Sequence, residues 1–290
     1  MASSAFAFQV PSPSIPQGPP IFRAKKDTVL VRATVTDPLN RFVIGLDREH
    51  FRLFEDKVEQ YIDYFSNDKS PISVGFILDI SGSMGDNLLS ARNSIIRFLE
   101  QGDRRDEYFL VTFNERTAIV QDFTPRSENI RSEVAFTDAK GRTALFDAIY
   151  LGLEKIREGR HEKKALIVIT DGEDNSSRYT YSELKEFARE SDAQIYVIGE
   201  KGEIGYGRTI ISEIVRLSGG RPFFPNNFKQ LDYFCDLIHT ELRNQYVVGY
   251  TPSNIDFNGK WRKIKVALEP PEGMPKLKIR HKEGYFPPRS

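Results

Sequence analysis

A carboxylate that closes an apolar run, with two hydroxyls at alternate positions behind it, is the strongest chemical signal in this chain. The stretch Val74-Gly75-Phe76-Ile77-Leu78-Asp79-Ile80-Ser81-Gly82-Ser83-Met84-Gly85 carries it. Two more oxygen-bearing positions follow. Gly141-Arg142-Thr143-Ala144-Leu145 sets a hydroxyl at a helix entrance, and Ala165-Leu166-Ile167-Val168-Ile169-Thr170-Asp171-Gly172 is a second apolar run ending in a carboxylate. If the strands of Asp79 and Asp171 are neighbours, Asp79, Ser81, Ser83, Thr143 and Asp171 converge. Such a set offers only oxygen, with two carboxylates. It suits a hard divalent cation, Mg²⁺ before Mn²⁺ or Ca²⁺, that keeps several waters and accepts an outside ligand. Asp79, Ser81 and Ser83 by themselves also fit a capped strand-to-helix turn, because serine and aspartate favour helix starts.

The elements that would position these groups can be read from periodicity. The run at 74–80 is apolar on both faces and too short for a helix, which predicts a buried parallel strand. Further strands are expected at 108–113, 117–121, 165–170, 194–198 and 221–224. Helices are expected at 87–100, 144–157, 182–191, 209–218 and 228–243, with a short one around 127–137. This alternation predicts an α/β fold, a doubly wound, mainly parallel six-stranded sheet with helices on both faces, with 117–121 as its antiparallel edge. Asp79 and Asp171 then lie at carboxyl-terminal strand ends, where open α/β sheets bind ligands.

Outside the middle the pattern changes to β. Strands are expected at 28–36, 51–54 and 58–65, and again at 246–250, 261–268, 277–280 and 285–286. The first group is too small for a β domain of its own. The two ends are therefore expected to pair into one β-sandwich (23–70 plus 245–290), with a 71–244 unit inserted between them. Residues 1–22 read as a leader. Met1–Ala7 ends in an A-x-A pattern without a basic region or full apolar core, which fits the tail of an export signal or a short disordered leader. Pro11–Pro20 is proline-rich and expected to be extended.

Composition narrows the function classes. Lys plus Arg and Asp plus Glu number 41 each. The balance speaks against nucleic acid or a membrane surface as partner, and no run of about 18 apolar residues is long enough to span a bilayer. Cys235 is the only cysteine and falls in an apolar helical pattern, as a core residue does. His50, His161, His239 and His281 have no metal-ligand spacing.

The D-x-S-G-S-M-G motif at 79–85, the downstream Thr143 and the T-D-G strand end together resemble the von Willebrand factor type A domain. The likeness implies that Asp79, Ser81, Ser83, Thr143 and Asp171 form a metal-ion-dependent adhesion site. The serines and threonine would bind the ion directly and the aspartates partly through water. It also implies that the last ligand is an Asp or Glu carboxylate of another protein. Val43–Phe51, Tyr246–Pro252, Trp261–Ile264 and Gly284–Phe286 are similar to a bacterial subfamily, the von Willebrand A-related domain family of acidobacteria, over nearly the whole chain from Phe22. Its members are mostly exported, which implies a periplasmic or secreted location.

Competing chemistry fits less well. A haloacid-dehalogenase-type phosphatase needs a second carboxylate where Ser81 stands. A serine hydrolase needs G-x-S-x-G and a nearby histidine, and the glycine spacing fails at Ser81 and Ser83. The reading is thus a non-enzymatic, metal-dependent protein-binding module. The alternatives are a metal-assisted phosphoester hydrolase and a structural envelope module with a vestigial site. Asp147, one turn after Thr143, reads as a helix-surface or cap contact, and Glu173 and Asp174 as solvated loop acids. Gly199, Gly202, Gly205 and Gly207, beside Glu200 and Glu203, read as a rim loop without phosphate-cradle spacing. Lys155, Arg157, Arg160, Lys163 and Lys164 read as a solvated face at a helix end.

Overall fold

A strand that is apolar on both faces needs cover on both sides, and the architecture follows from supplying it. A computed structural model describes residues 28–67, 69–135, 137–199, 206–256 and 258–287, with backbone alone at 206–208. The leader at 1–22 and Glu200, Gly202, Glu203 and Gly205 lie outside the described residues. In chain order the elements are β1 (Val29–Thr36), β2 (Phe51–Glu55), β3 (Val58–Gln60), β4 (Tyr64–Ser66), β5 (Ile72–Asp79), α1 (Leu88–Glu100), β6 (Glu107–Phe113), β7 (Thr117–Thr124), α2 (Ser127–Ala135) and α3 (Leu145–Ile156). They continue with β8 (Lys163–Thr170), α4 (Tyr181–Glu190), β9 (Gln194–Gly199), α5 (Tyr206–Leu217), β10 (Arg221–Phe223), α6 (Leu231–Arg243), β11 (Tyr246–Tyr250), β12 (Arg262–Leu268), β13 (Lys278–His281) and β14 (Gly284–Tyr285).

The central sheet has six strands in the order β10-β9-β8-β5-β6-β7. Its neighbours are parallel except β7, which runs antiparallel on the edge. β5 is buried along its whole length. Ile72, Val74, Phe76 and Leu78 pack on one face with residues of α1, α2 and α6, including the fully buried Cys235. Ile77 packs on the other face with residues of α3, α4 and α5. On that second face Gly75 makes room for a ring, since a Cβ there would come within 2.2 Å of Phe109. The chain leaves β5 for β6 on one side and reaches β8 on the other. The strand order therefore reverses between β5 and β8, at the carboxyl ends where Asp79 and Asp171 stand.

The two ends of the chain pair as the alternation of their apolar residues predicts. One four-stranded sheet has the order β13-β1-β11-β4 and the other β14-β12-β2-β3. Val31, Val35, Phe51, Leu53, Tyr246, Val248, Ile264 and Val266 fill the space between them. The stretch expected as one strand at 58–65 is instead two. β3 pairs with β2 in one sheet, and β4 pairs with β11 in the other. Buried Ile62 sits at the crossing, and the Asp63 N–H donates to the Gly249 carbonyl, 3.0 Å, where the chain joins the second sheet. The basic run is also corrected. Lys155 and Lys163 are buried, and the Lys155 ammonium pairs with Asp122 at 2.7 Å and Glu158 at 2.6 Å.

His281 joins the two sheets of the sandwich. Its Nε2 accepts the Val266 N–H at 3.1 Å, so the neutral ring carries its proton on Nδ1, which faces the Lys282 carbonyl at 2.7 Å. Burial pushes this imidazole below its ordinary value, against the smaller upward pull of the Lys282 carbonyl and Glu283. From about pH 6.5 downward the unfolded chain binds more protons than the folded one, so this contribution to stability is present above that pH and is lost as pH falls from there through the lower value of the folded chain. Urea denaturation at pH 8 and pH 5.5 is expected to show a loss of stability on acidification that is smaller in His281→Gln. An equal loss in both proteins would remove the assignment.

Candidate metal site

Three loops at the carboxyl ends of β5 and β8 meet around Asp79. The loop after β5 begins with the Ser81 N–H donating to Asp79 Oδ1 at 2.8 Å. It then turns through a short 3₁₀ segment, Gly82–Asp86, into α1. Neither the Ser81 cap of that segment nor the Asn87 cap of α1 uses its side chain to close the helix start. This disfavours the reading as a plain capped turn. The Ser81 and Ser83 hydroxyls lie 3.1 Å apart, and Ser83 Oγ donates to Asp171 Oδ1 at 2.7 Å. Asn87 Nδ2 holds the other Asp171 oxygen at 3.1 Å.

Thr143 enters from the loop before α3. A Cβ built on Gly172 would lie 3.2 Å from Thr143 Oγ1 and 3.7 Å from Ser83 Oγ, so both hydroxyls border the same small space. The cap of α3 is Ala144, with no side-chain bond. The helix start is satisfied from the following loop, where Asp174 Oδ1 accepts the Phe146 N–H at 3.2 Å and Ser177 Oγ accepts the Asp147 N–H at 3.1 Å. The Thr143 hydroxyl is thereby spared that task.

The loop positions are fixed by residues whose roles sequence reasoning missed. Asn175 Oδ1 accepts the Thr143 N–H at 3.0 Å, and its own N–H donates to the Thr143 carbonyl at 2.9 Å. The Asn114 carbonyl accepts the Ala144 N–H at 2.8 Å, and Asn114 Nδ2 donates to the Lys140 carbonyl at 3.0 Å. The Gly82 N–H donates to the Gly141 carbonyl at 3.0 Å, and Gly141 adopts a φ of +86° that favours glycine. Thr170 Oγ1 donates to Asp79 Oδ2. These bonds link side chain to backbone across loops and leave no periodic trace. The one available signal was the run of Thr, Asn and Ser around the acids. Asp174 is half-buried in a cap, not a solvated acid, while Glu173 is exposed. Asp147 is buried, not on the helix surface, and accepts the Arg178 and Tyr179 N–H groups at 2.9 and 3.0 Å.

The electrostatics suit a cation. Asp79 is fully buried and Ser81 and Thr143 nearly so, whereas Ser83 is exposed and Asp171 half-buried. The group is thus closed on the protein side and open at Ser83. Burial pushes the Asp79 carboxyl above its ordinary range, bonds from Thr170 and Ser81 pull it back, and neighbouring Asp171 pushes it up again. A divalent ion among these oxygens would offset the cost of holding two acids together. Among the described residues no three His, Cys, Asp or Glu side chains gather into a metal-sized cluster. The fit therefore depends on the hydroxyls. No helix of the described residues is long and apolar enough to cross a membrane.

Comparison with known proteins gives a consistent picture. A family model described as von Willebrand factor type A domain matches residues 73–235. An uncharacterized protein of Borreliella burgdorferi is 25% identical over 214 residues, covering 67% of this chain and 60% of that one. The chain spans 60% or less of the length of the curated relatives it matches. The solved von Willebrand factor type A protein from Catenulispora acidiphila superposes with a TM-score of 0.54 at 11% identity, over 88% of this chain and 73% of that one. Proximal thread matrix protein 1 from the mussel byssus, in a structure with a zinc-occupied MIDAS motif, gives 0.51 at 19% identity over 65% of this chain and 49% of that one. Both structures are similar in fold.

Proposed function

The chain belongs to the von Willebrand factor type A domain family, and from that premise we propose that it is a non-enzymatic protein-binding module that works through a bound divalent cation. Residues 71–244 are the binding unit, and the paired ends, 23–70 and 245–290, are its scaffold. Asp79, Ser81, Ser83, Thr143 and Asp171 hold the ion, with Mg²⁺ as the expected occupant. When bound, the ion supplies a coordination position for an Asp or Glu carboxylate of the partner. The chain's own residues set the oxygens, close the protein side of the site and leave it open at Ser83. One observation supports this above the rest. Hydroxyls from two separate loops border one space beside the Asp171 carboxylate, and none of them is used to cap the helix it precedes.

Isothermal titration of the intact chain with Mg²⁺ and Mn²⁺ tests the site, and affinity capture with Mg²⁺ present and chelator elution tests the partner. Heats of binding and a chelator-eluted protein are expected. No heat with either metal would end the proposal. A phosphatase assay with and without EDTA separates it from a phosphoester hydrolase, and EDTA-sensitive turnover would replace it. Export across the cytoplasmic membrane belongs to the same proposal, and recovery of the native protein with an intact Met1 from a cytoplasmic fraction would remove that part.

Gly172→Ala gives a finer test. The new methyl group would crowd Thr143 Oγ1 at 3.2 Å without removing any ligand oxygen. Metal affinity is expected to fall about tenfold or more while the melting temperature without metal changes little. Unchanged affinity would place the ion elsewhere.

A further inference from the structure

Lys164, grouped by sequence with a solvated basic face, lines a cavity of about 1030 Å³ between the sandwich and the amino-terminal ends of the central strands. It stands level with Ser73 at the start of β5, six residues before Asp79. The cavity is thus about 20 Å along the strand from the metal site. Arg32 from β1 and Lys282 from the loop after β13 share its wall with Lys164. The cavity therefore gathers three basic side chains from both parts of the fold.

These cations are incompletely matched. The Arg32 guanidinium donates to the Asp192 carbonyl at 2.9 Å, and the Lys164 ammonium to the Arg157 carbonyl at 2.9 Å. Among the described residues neither has a carboxylate at ion-pair distance. Lys282 donates to the Ser191 carbonyl at 2.6 Å and has only a longer contact, 3.4 Å, with the exposed Asp192 carboxylate. Burial lowers all three pKa values, Asp192 pulls each of them back up in part, and the charge of Arg32 lowers those of Lys164 and Lys282 by less. Mutually repelling, partly desolvated cations in a concave wall gain from an anion that accepts bonds from them. The wall also holds the acids Glu162, Glu190 and Asp192, and Leu30, Phe286 and the exposed Ile255 give it an apolar stretch.

We propose that this cavity is a second binding site, for a small molecule with an anionic head, carboxylate or phosphate, and an apolar body. The head sits against Arg32, Lys164 and Lys282, and the body lies along Leu30, Ile255 and Phe286. The volume is that of a small-molecule site. The site is separate from the metal site and does not need it.

The test is isothermal titration of the intact chain, in EDTA, with decanoate, decyl phosphate and decanol. Decanoate or decyl phosphate is expected to bind, decanol at least about tenfold more weakly, and the stronger of the two acids identifies the head group. Arg32→Gln and Lys164→Gln lie on different strands, so a folding defect in one leaves the other informative. Each is expected to weaken acid binding about tenfold, and Lys164→Arg to restore most of it. No binding of either acid would overturn the proposal. So would equal binding of decanol, or unchanged affinity in both folded glutamine variants.

Discussion

Asp171→Ala is expected to abolish Mg²⁺ binding while the chain still unfolds cooperatively. Asp171 is half-buried and, among the described residues, its side chain bonds only to Ser83 Oγ and Asn87 Nδ2, so truncation there leaves no buried group without a partner. What it removes is one of the two carboxylates of the proposed site, and the remaining charge is too small to hold a hard cation against its hydration. The measurement is a thermal melt with and without metal. At about 100 times the dissociation constant, a ligand that binds only the folded chain adds about 2.7 kcal/mol, which corresponds to roughly 5 °C in a domain of this size. The parent is expected to gain that amount and Asp171→Ala none. Asp79→Asn is expected to lose the metal response as well. Its metal-free stability should equal or exceed the parent's, because a fully buried carboxylate beside another acid is costly to keep ionised. A parental metal response in Asp171→Ala would contradict the assignment.

The largest stability effect is expected from Glu55→Ala, a residue far from the metal site. Glu55 and Arg262 form an ion pair at 3.1 Å with side-chain exposures of 2% and 4%. The second Glu55 oxygen accepts the Tyr250 and Tyr285 hydroxyls at 2.7 and 2.8 Å. Arg262 also donates to the Asn254 carbonyl at 2.7 Å. Burial, with the bond to Glu55, pushes the Tyr285 hydroxyl up to about 12 and that of Tyr250 higher. Both phenols therefore remain donors, and the network is satisfied only while Glu55 is present. Removing one partner of a buried pair leaves an uncompensated charge and costs about 3–5 kcal/mol. The urea midpoint should fall by about 1 M or more. Glu55→Gln keeps an acceptor for the phenols and should lose less. A shift within error for Glu55→Ala would show that the sandwich does not depend on this pair.

Much of the fold was legible because its signals are periodic. The apolar run of β5 and the spacing of Leu145, Ala148, Ile149, Leu153 and Ile156 along α3 name their own partners. The crossing at Tyr61–Asp63 was not legible, since the alternation of 58–65 continues while the chain changes sheets. Nor was the burial of Lys155 and Lys163, because a charge run says nothing about whether an acid waits beside it. At the candidate site the sequence named Ser83, Thr143 and Asp171 from separate segments, and Ser83 bonds to Asp171 while Thr143 borders the same space. The groups that hold the loops, Asn114, Asp174, Asn175 and Ser177, were invisible because they act on distant backbone.

The route by which the chain enters and leaves the central sheet decides how tension would travel. It passes in from β4 and out into β11, and these two strands are hydrogen-bonded neighbours. Both passages therefore start from one place in the sandwich, like two cables from a single post. A partner pulling on the Asp79–Asp171 end loads both passages in parallel. Stress between β1 and β13 runs instead through their own direct pairing.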